Sequence, residues 1–330
     1  MPHDPRLDLI QHWLAENAEL HSATLTPASV DASFRRYFRA STQHGSYIVM
    51  DAPPEHEKLE PFSSIARLLE EHDLNVPHIY DSHVEHGFLL LSDLGSTQYL
   101  NVLSDTNVEQ LYGDALDALF KIQTRVPPLG LPLYDKAMLE REMHLFEEWF
   151  LRRHLGIELS GAELATLKTS FEILIYAAIN QPQVFVHRDY HSRNLMVTDD
   201  KNPGILDFQD AVLGPVTYDL VSLLRDCYIE WPQNKIDHWV ERYFIRLQNA
   251  GITNTRLVMF QYLFDLMGAQ RHLKAIGIFS RLNYRDGKSG YLNDIPRTFN
   301  YLDSVCNTHM ELHDLATLFK HHKIAERLAA

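Results

Sequence analysis

Beyond Leu100 the sequence is patterned almost entirely in helical spacing, and one short stretch breaks that pattern. Residues 184–208 carry three apolar runs, Val184-Phe185-Val186, Leu195-Met196-Val197 and Gly204-Ile205-Leu206. Each is too short for a helix and is bounded by polar or turn-forming residues, so the stretch reads as a small β-rich island. Around it lie candidate helices at 107–124, 135–154, 161–180, 217–230, 234–250, 254–275 and 289–306. The first 92 residues have a different texture. Leu7, Ile10, Trp13 and Leu14 predict a helix over 5–19. Phe34, Tyr37 and Phe38, then Tyr47, Ile48 and Val49, flank Ser41-Thr42-Gln43-His44-Gly45 and predict a β-hairpin. A helix at 56–72 follows, then strands at 76–80 and 88–91 joined through Glu85-His86-Gly87. The expected fold class is α+β with two lobes: a β-rich N-lobe over 1–92, a hinge at 93–98 and a larger helical C-lobe over 99–330. At 330 residues the chain exceeds the usual span of a single core, which agrees with two bodies.

The charge balance narrows the function. There are 44 acidic against 30 basic residues, a net charge of −14. Sequence-independent nucleic-acid binding rests on neutralising phosphates, so no nucleic-acid partner is expected. The acidity serves solubility or, alternatively, lines a cleft for a cationic substrate. The two cysteines, Cys227 and Cys306, form no CxxC pair and make no disulfide framework. Both fall in apolar helical patterns, as buried inert thiols in a reducing cytoplasm would. The N-terminal segment has charges throughout and no apolar core, so no signal peptide is read there. No stretch approaches the 18 or so apolar residues of a membrane span. No protein partner is evident.

The island carries the chemistry. It reads Val186-His187-Arg188-Asp189-Tyr190-His191-Ser192-Arg193-Asn194 and, further on, Ile205-Leu206-Asp207-Phe208-Gln209-Asp210. Transfer of a phosphoryl group from a nucleotide triphosphate needs Mg²⁺ on the phosphate oxygens and an oxygen base near the acceptor hydroxyl. One loop supplies Asp189 as base and, five residues on, Asn194 as metal ligand; a following strand ends in a second ligand, Asp207. Asp199-Asp200-Lys201-Asn202-Pro203 forms the turn between the strands. Antiparallel strands joined by such a turn bring their outer ends together, so the spacing predicts that the three polar groups converge.

These two stretches resemble the HRDxxxxN catalytic loop and DFG metal motif of protein kinases. They are closer to the aminoglycoside phosphotransferase and choline kinase family, which is protein-kinase-like in fold. That family reads HxDxxxxN and a DFE- or DFQ-like motif, here His187 to Asn194 and Asp207-Phe208-Gln209. Gly214-Pro215-Val216-Thr217-Tyr218-Asp219-Leu220 resembles the family segment in which an Asp begins a C-lobe helix. The resemblance implies Asp189 as the catalytic base, Asn194 and Asp207 as Mg²⁺ ligands, ATP as donor, and a structural role for His187. His187 and His191 lie four apart on a loop with no HExxH, so no zinc site is expected between them.

The N-lobe departs from the kinase pattern. It has no GxGxxG and no Walker motif, and Met50 ends Tyr47-Ile48-Val49-Met50 where protein kinases carry a strand lysine. Arg35 or Arg36, in Ser33-Phe34-Arg35-Arg36-Tyr37-Phe38-Arg39, is the candidate phosphate-binding replacement; the alternative is a solvated strand face. Phe88 to Leu94 matches the family's hinge, which implies that backbone groups at Ser92, Asp93 and Leu94 meet the adenine edge.

At closer range the stretches Ser33 to Arg39, Met50-Asp51-Ala52-Pro53-Pro54-Glu55, Leu145-Phe146-Glu147-Glu148-Trp149 and Asp207 to Ala211 resemble the bacterial anomeric amino-sugar kinases of cell-wall recycling, over roughly 20–310. That resemblance implies a small-molecule amino-sugar partner, N-acetylmuramate or N-acetylglucosamine, phosphorylated on the C1 hydroxyl to the α-1-phosphate. A sugar pocket needs polar groups for hydroxyls and an apolar face for the ring. Glu142 could accept from ring hydroxyls and Arg141 could meet the lactyl carboxylate, with Arg193 and Asp210 as further candidates. Alternatively, Phe146, Trp149 and Phe150 are core and the charges a solvated face. Other acceptors in the family's range are aminoglycosides, choline and other small alcohols; a non-catalytic nucleotide-binding module is the reading from a different class.

Overall fold

The computed structural model describes residues 4–17, 20–30 and 34–329. Ala18 and Glu19, at the end of the predicted first helix, and Ser33, which opens the predicted hairpin stretch, lie outside the described residues. The chain forms two compact units: Met1–Thr97 with Met196–Gln209, and Gln98–Leu195 with Asp210–Ala330.

The first unit begins with α1 (Pro5–Ala15). The Asp4 carboxylate caps it by accepting from the backbone N–H groups of Arg6 and Leu7, and Pro5 sits where the missing N–H costs nothing. The strands β1 (Thr24–Val30), β2 (Arg36–Thr42) and β3 (Gly45–Asp51) follow, then α2 (Leu59–Glu71), β4 (Ile79–His83) and β5 (Phe88–Ser92). They form one antiparallel sheet in the order β1-β2-β3-β5-β4. Ile10, Trp13 and Leu14 of α1 share a buried cluster with Phe38, Ala40, Val49, Phe88 and Leu90 of the sheet. On α2, Phe62, Ile65, Ala66 and Leu69 are buried, a helical stripe that explains why this segment folds as a helix. Strand β1 falls in the stretch where sequence texture indicated only a β-rich region; its Pro27 and polar residues hide the period-2 signal.

The chain enters the second unit at Gln98. There it forms α3 (Tyr99–Val102), α4 (Val108–Arg125) and α5 (Lys136–Leu145), which continues as a π-helix over Phe146–His154. Next come α6 (Gly161–Ile179) and β6 (Gln183–Val186). A short hairpin, β7 (Leu195–Met196) and β8 (Gly204–Ile205), leads back into the first unit, where the Ile205 N–H donates to the Asn75 carbonyl at 2.8 Å and Phe208 lies on Phe62 with ring centroids 5.0 Å apart. The second unit then resumes with β9 (Val212–Pro215), antiparallel to β6, and with α7 (Tyr218–Leu224), α8 (Gln233–Asn249) and α9 (Leu257–Asp286). A 3-10 segment (Ser289–Asp294) precedes α10 (Ile295–Thr308), α11 (His313–His321) and α12 (Ile324–Ala329).

The 30-residue α9 is the axis of this unit, with buried positions from Phe260 to Leu282. Gly277 lies within it. A Cβ there would meet the Leu145 carbonyl carbon at 2.5 Å and the Phe146 nitrogen at 2.6 Å. The glycine therefore admits the backbone of its neighbour at the point where α5 gives way to the π-helix, so the single helix expected over 135–154 is two kinds of helix. The helix expected over 217–230 stops at Leu224, because Asp226 turns its carboxylate to the N–H groups of Ser192 and Tyr228, each at 2.9 Å.

Candidate active site

In the second unit β6 ends at Val186 and runs into the loop that carries Asp189. The next two backbone N–H groups, of His187 and Arg188, donate to the two carboxylate oxygens of Asp219 at 2.6 and 3.0 Å. Asp219 sits in the first turn of α7, fully buried. Burial pushes it up to about 7, while the two N–H bonds work in the opposite direction. This grip holds Arg188 at φ +77, a left-handed conformation rare for a long side chain and one that persists only where surrounding bonds enforce it. The Asp189 N–H donates to His187 Nδ1 at 3.2 Å, which gives His187 the structural role expected of it. The side-chain nitrogen of Asn194 donates to the Asp189 carbonyl at 2.9 Å. Asp226 holds the other side of the loop through Ser192.

Asp189 is half-buried. Burial by itself raises its pKa, but the positive charges of Lys274, Arg188 and Arg271 outweigh that and hold the carboxyl below its ordinary value. These cations are themselves fixed. Glu142 accepts from Arg188 Nη2 on one oxygen and from the Tyr134 hydroxyl on the other. Lys274 Nζ lies 3.6 Å from Glu142 and donates to the Tyr218 hydroxyl at 3.0 Å. Burial lowers His191, which favours its neutral form. The arrangement can therefore keep one carboxylate ionised and oriented in a weakly solvated loop.

The other sequence candidates fall as follows. Glu142 is buried inside this ion cluster, with both oxygens engaged. Arg141, its neighbour on α5, is exposed. The Arg193 guanidinium stands over Tyr228 at 4.6 Å and Tyr291 at 5.4 Å from the ring centroids. Asp210 is exposed, and its backbone carbonyl accepts from Arg188 Nη1 at 3.3 Å. Phe146 and Phe150 are core, while Trp149 is half-buried.

In the first unit Asp207 has φ +65, a conformation that Asp tolerates better than most residues, and it accepts from Gln209 Nε2 at 2.6 Å. The side chains of Ser92 and Asp93 are tied down within the first unit. Asp93 accepts from Arg39 Nε at 2.6 Å, Ser46 Oγ at 2.7 Å and the Gly95 N–H at 3.0 Å. The Ser92 N–H donates to the His78 carbonyl at 2.9 Å, and Ser92 Oγ accepts from the His78 N–H. The Leu94 side chain packs beside Gly204. The Arg36 side chain is part-exposed and engaged with carboxylates: its Nε donates to Asp51 at 2.9 Å and its Nη1 pairs with Asp4. Arg35 Nη2 donates to Glu57 at 3.0 Å.

Asn194 carries an amide oxygen and Asp207 a carboxylate, each a hard oxygen donor of the kind that Mg²⁺ takes. The bond from the Asn194 nitrogen to Asp189 fixes which end of that amide is nitrogen. Sequence reasoning missed Lys274, Arg271 and Asp226 altogether. The available signal was in α9, where Arg271 and Lys274 are charged residues within a helix of mostly buried positions, a setting in which charge is costly unless used.

The profile of the phosphotransferase enzyme family matches residues 24–258. The N-acetylmuramate/N-acetylglucosamine kinase of Pseudomonas aeruginosa is 48% identical over 316 residues, covering 95% of this chain and 92% of its own. That of Pseudomonas putida is 45% identical over 327 residues, covering 96% of both. Among solved structures, an ADP-bound aminoglycoside phosphotransferase aligns with a TM-score of 0.59 at 14% identity, over 89% of this chain and 97% of that one, which shows a shared fold. Matched by the family profile over most of its length and by relatives above 40% identity over nearly all of it, with a β-sheet unit and a helical unit of protein-kinase-like fold, the chain belongs to the phosphotransferase enzyme family.

Proposed function

We propose that this chain is an ATP-dependent kinase that phosphorylates the C1 hydroxyl of N-acetylmuramate and N-acetylglucosamine to the α-1-phosphate, as a step in recycling cell-wall amino sugars. The observation that carries this reading is the likeness of nearly the whole chain to kinases named for those two sugars. The charge around the loop supports it. Asp189 lies in the field of Lys274, Arg188 and Arg271, an environment that favours anionic phosphate and carboxylate groups over the cationic head of choline or an aminoglycoside.

In this reading the Asp189 carboxylate accepts the proton of the C1 hydroxyl. The sugar oxygen bonds to the γ-phosphorus as the bond from that phosphorus to the β,γ-bridging oxygen breaks, and ADP leaves. Asn194 and Asp207 each serve as a ligand of Mg²⁺, which when bound screens the phosphate charge. Backbone groups at Ser92, Asp93 and Leu94 receive the adenine edge, and the locked Asp93 side chain keeps that backbone in place. The phosphate contact falls to Arg35 or Arg36, both of which already hold carboxylates: Arg35 that of Glu57, Arg36 those of Asp51 and Asp4. Arg193 and Arg141 are the cations for the lactyl carboxylate, Asp210 a group for ring hydroxyls, and Glu142 the residue that holds Arg188 and Lys274 in place.

The test is a panel of acetamido sugars with Mg-ATP, followed by ³¹P spectroscopy. The expected product signal is coupled to H1 and disappears with Asp189→Asn, a change expected to cost about 10²–10⁴-fold in rate. A 6-phosphate product would refute the anomeric assignment, and an unaffected Asp189→Asn rate would refute the base.

A further inference from the structure

At the far end of the second unit's chain, α11 finishes with two consecutive histidines that stand against the first turn of α6. Nitrogens of His321 and His322 and a carboxylate oxygen of Glu163 all lie within 4.8 Å of one another. His322 Nε2 is 2.7 Å, and His321 Nε2 4.0 Å, from the same atom, Glu163 Oε1. We propose that these three side chains form a cation site unconnected with phosphoryl transfer, one that takes a borderline-soft divalent ion of the zinc class.

The donor set argues for that class. Two imidazoles and one carboxylate are ligands that zinc accepts, with water completing a tetrahedron, whereas Mg²⁺ prefers oxygen throughout. With bonds of about 2.0–2.1 Å, ligand atoms around tetrahedral zinc stand roughly 3.3 Å apart. The 2.7 and 4.0 Å separations bracket that value, and the larger belongs to His321, an exposed side chain with room to swing in.

The carboxylate is already oriented for the task. Glu163 Oε2 accepts from the Ser160 N–H at 2.8 Å and from Ser160 Oγ at 2.7 Å, in the capping box that starts α6, so Oε1 is the oxygen turned to the histidines. Outer bonds of this kind fix the direction of a metal ligand. Each imidazole would bind neutral through Nε2 with its proton on Nδ1. The cation would take the place of the hydrogen between His322 Nε2 and Glu163 Oε1. Two backbone fields act on it: the C-terminus of α11 favours positive charge and the N-terminus of α6 opposes it, which leaves the Glu163 charge as the deciding attraction. Once bound, the ion would staple α11 to α6, two elements separated by more than a hundred residues of sequence.

Equilibrium dialysis of the full chain against Zn²⁺, in excess Mg²⁺, tests this. The expected result is one zinc retained per chain and a rise in Tm with zinc that a chelator reverses. His321→Ala should weaken binding at least tenfold and abolish the Tm response, with its kinase rate unchanged. Ser160→Ala, which keeps all three ligands, should weaken it by about 10–100-fold. Failure of the wild type to retain zinc, or undiminished uptake by His321→Ala, would overturn the proposal.

Discussion

Lys274 sits on a different element from the loop it influences, and its charge is one of the reasons the Asp189 carboxyl can stay ionised in a half-buried setting. A carboxyl whose pKa is depressed is ionised everywhere above its ordinary value and is lost as a proton acceptor only as pH falls below it. The rate profile should therefore show no acid limb from Asp189 between neutrality and the usual carboxylate range. Lys274→Met removes one of the positive charges around Asp189, so the limb should move up in pH while the fold persists, a displacement that a purely structural role would not produce. A pH series of kcat/KM for wild type and variant checks this. Arg193, stacked on two tyrosines, offers a second residue-scale test. Arg193→Ala should raise KM for N-acetylmuramate about tenfold and leave N-acetylglucosamine nearly untouched, because only the former carries the lactyl carboxylate. Steady-state kinetics on both sugars decides it. Asp189, Asn194 and Asp207 could be proposed from sequence because the motifs that suggest their roles are short and local. Lys274, Arg271 and Asp226 were not, since each reaches the loop from another element and no spacing along the chain reports that. Glu142 reads in sequence as a substrate-binding residue; in the structure its two oxygens accept from Tyr134 and Arg188.

Among the helices, α9 shows where pattern reading loses its grip. The sequence predicts a helix over 254–275; the element runs eleven residues further, past Gly277. A glycine within a helix costs roughly 0.5–1 kcal/mol relative to alanine and reads as a weak stop. Here it is required, because the neighbouring backbone at Leu145 and Phe146 occupies the space a methyl group would need. Gly277→Ala should therefore destabilise the protein despite its better propensity. Overpacking of this kind costs about 1–3 kcal/mol and backbone atoms yield less readily than side chains, so Tm should fall by several degrees in a thermal scan. The same reasoning accounts for α7, cut short because Asp226 is needed elsewhere. It also covers β9, a strand of four residues defined by its pairing with β6 and not by any alternation of its own. The antiparallel hairpin of β2 and β3 was readable from its aromatic and β-branched runs on either side of a turn, and α2 and α4 from buried residues at helical spacing.

At the scale of the whole chain, the net charge of −14 is a poor guide to the site, since the loop is ringed by buried cations. More consequential is the path. The first unit takes its last fourteen residues, Met196–Gln209, from the middle of the sequence. Without them Phe62 loses Phe208, and the Asn75 carbonyl loses the Ile205 N–H. A fragment of residues 1–97 should accordingly bind a hydrophobic dye such as ANS, as loosely packed chains do. Appending 196–209 through a short glycine-serine linker should suppress that signal, because the Thr97 carbonyl accepts from the Val197 N–H at 2.8 Å and the ends to be joined are already neighbours. Genetic exchange meets the same constraint. A crossover between two relatives at residue 97 would transplant a sheet without the hairpin that completes it, so chimaeras that work should carry two donor segments and not one.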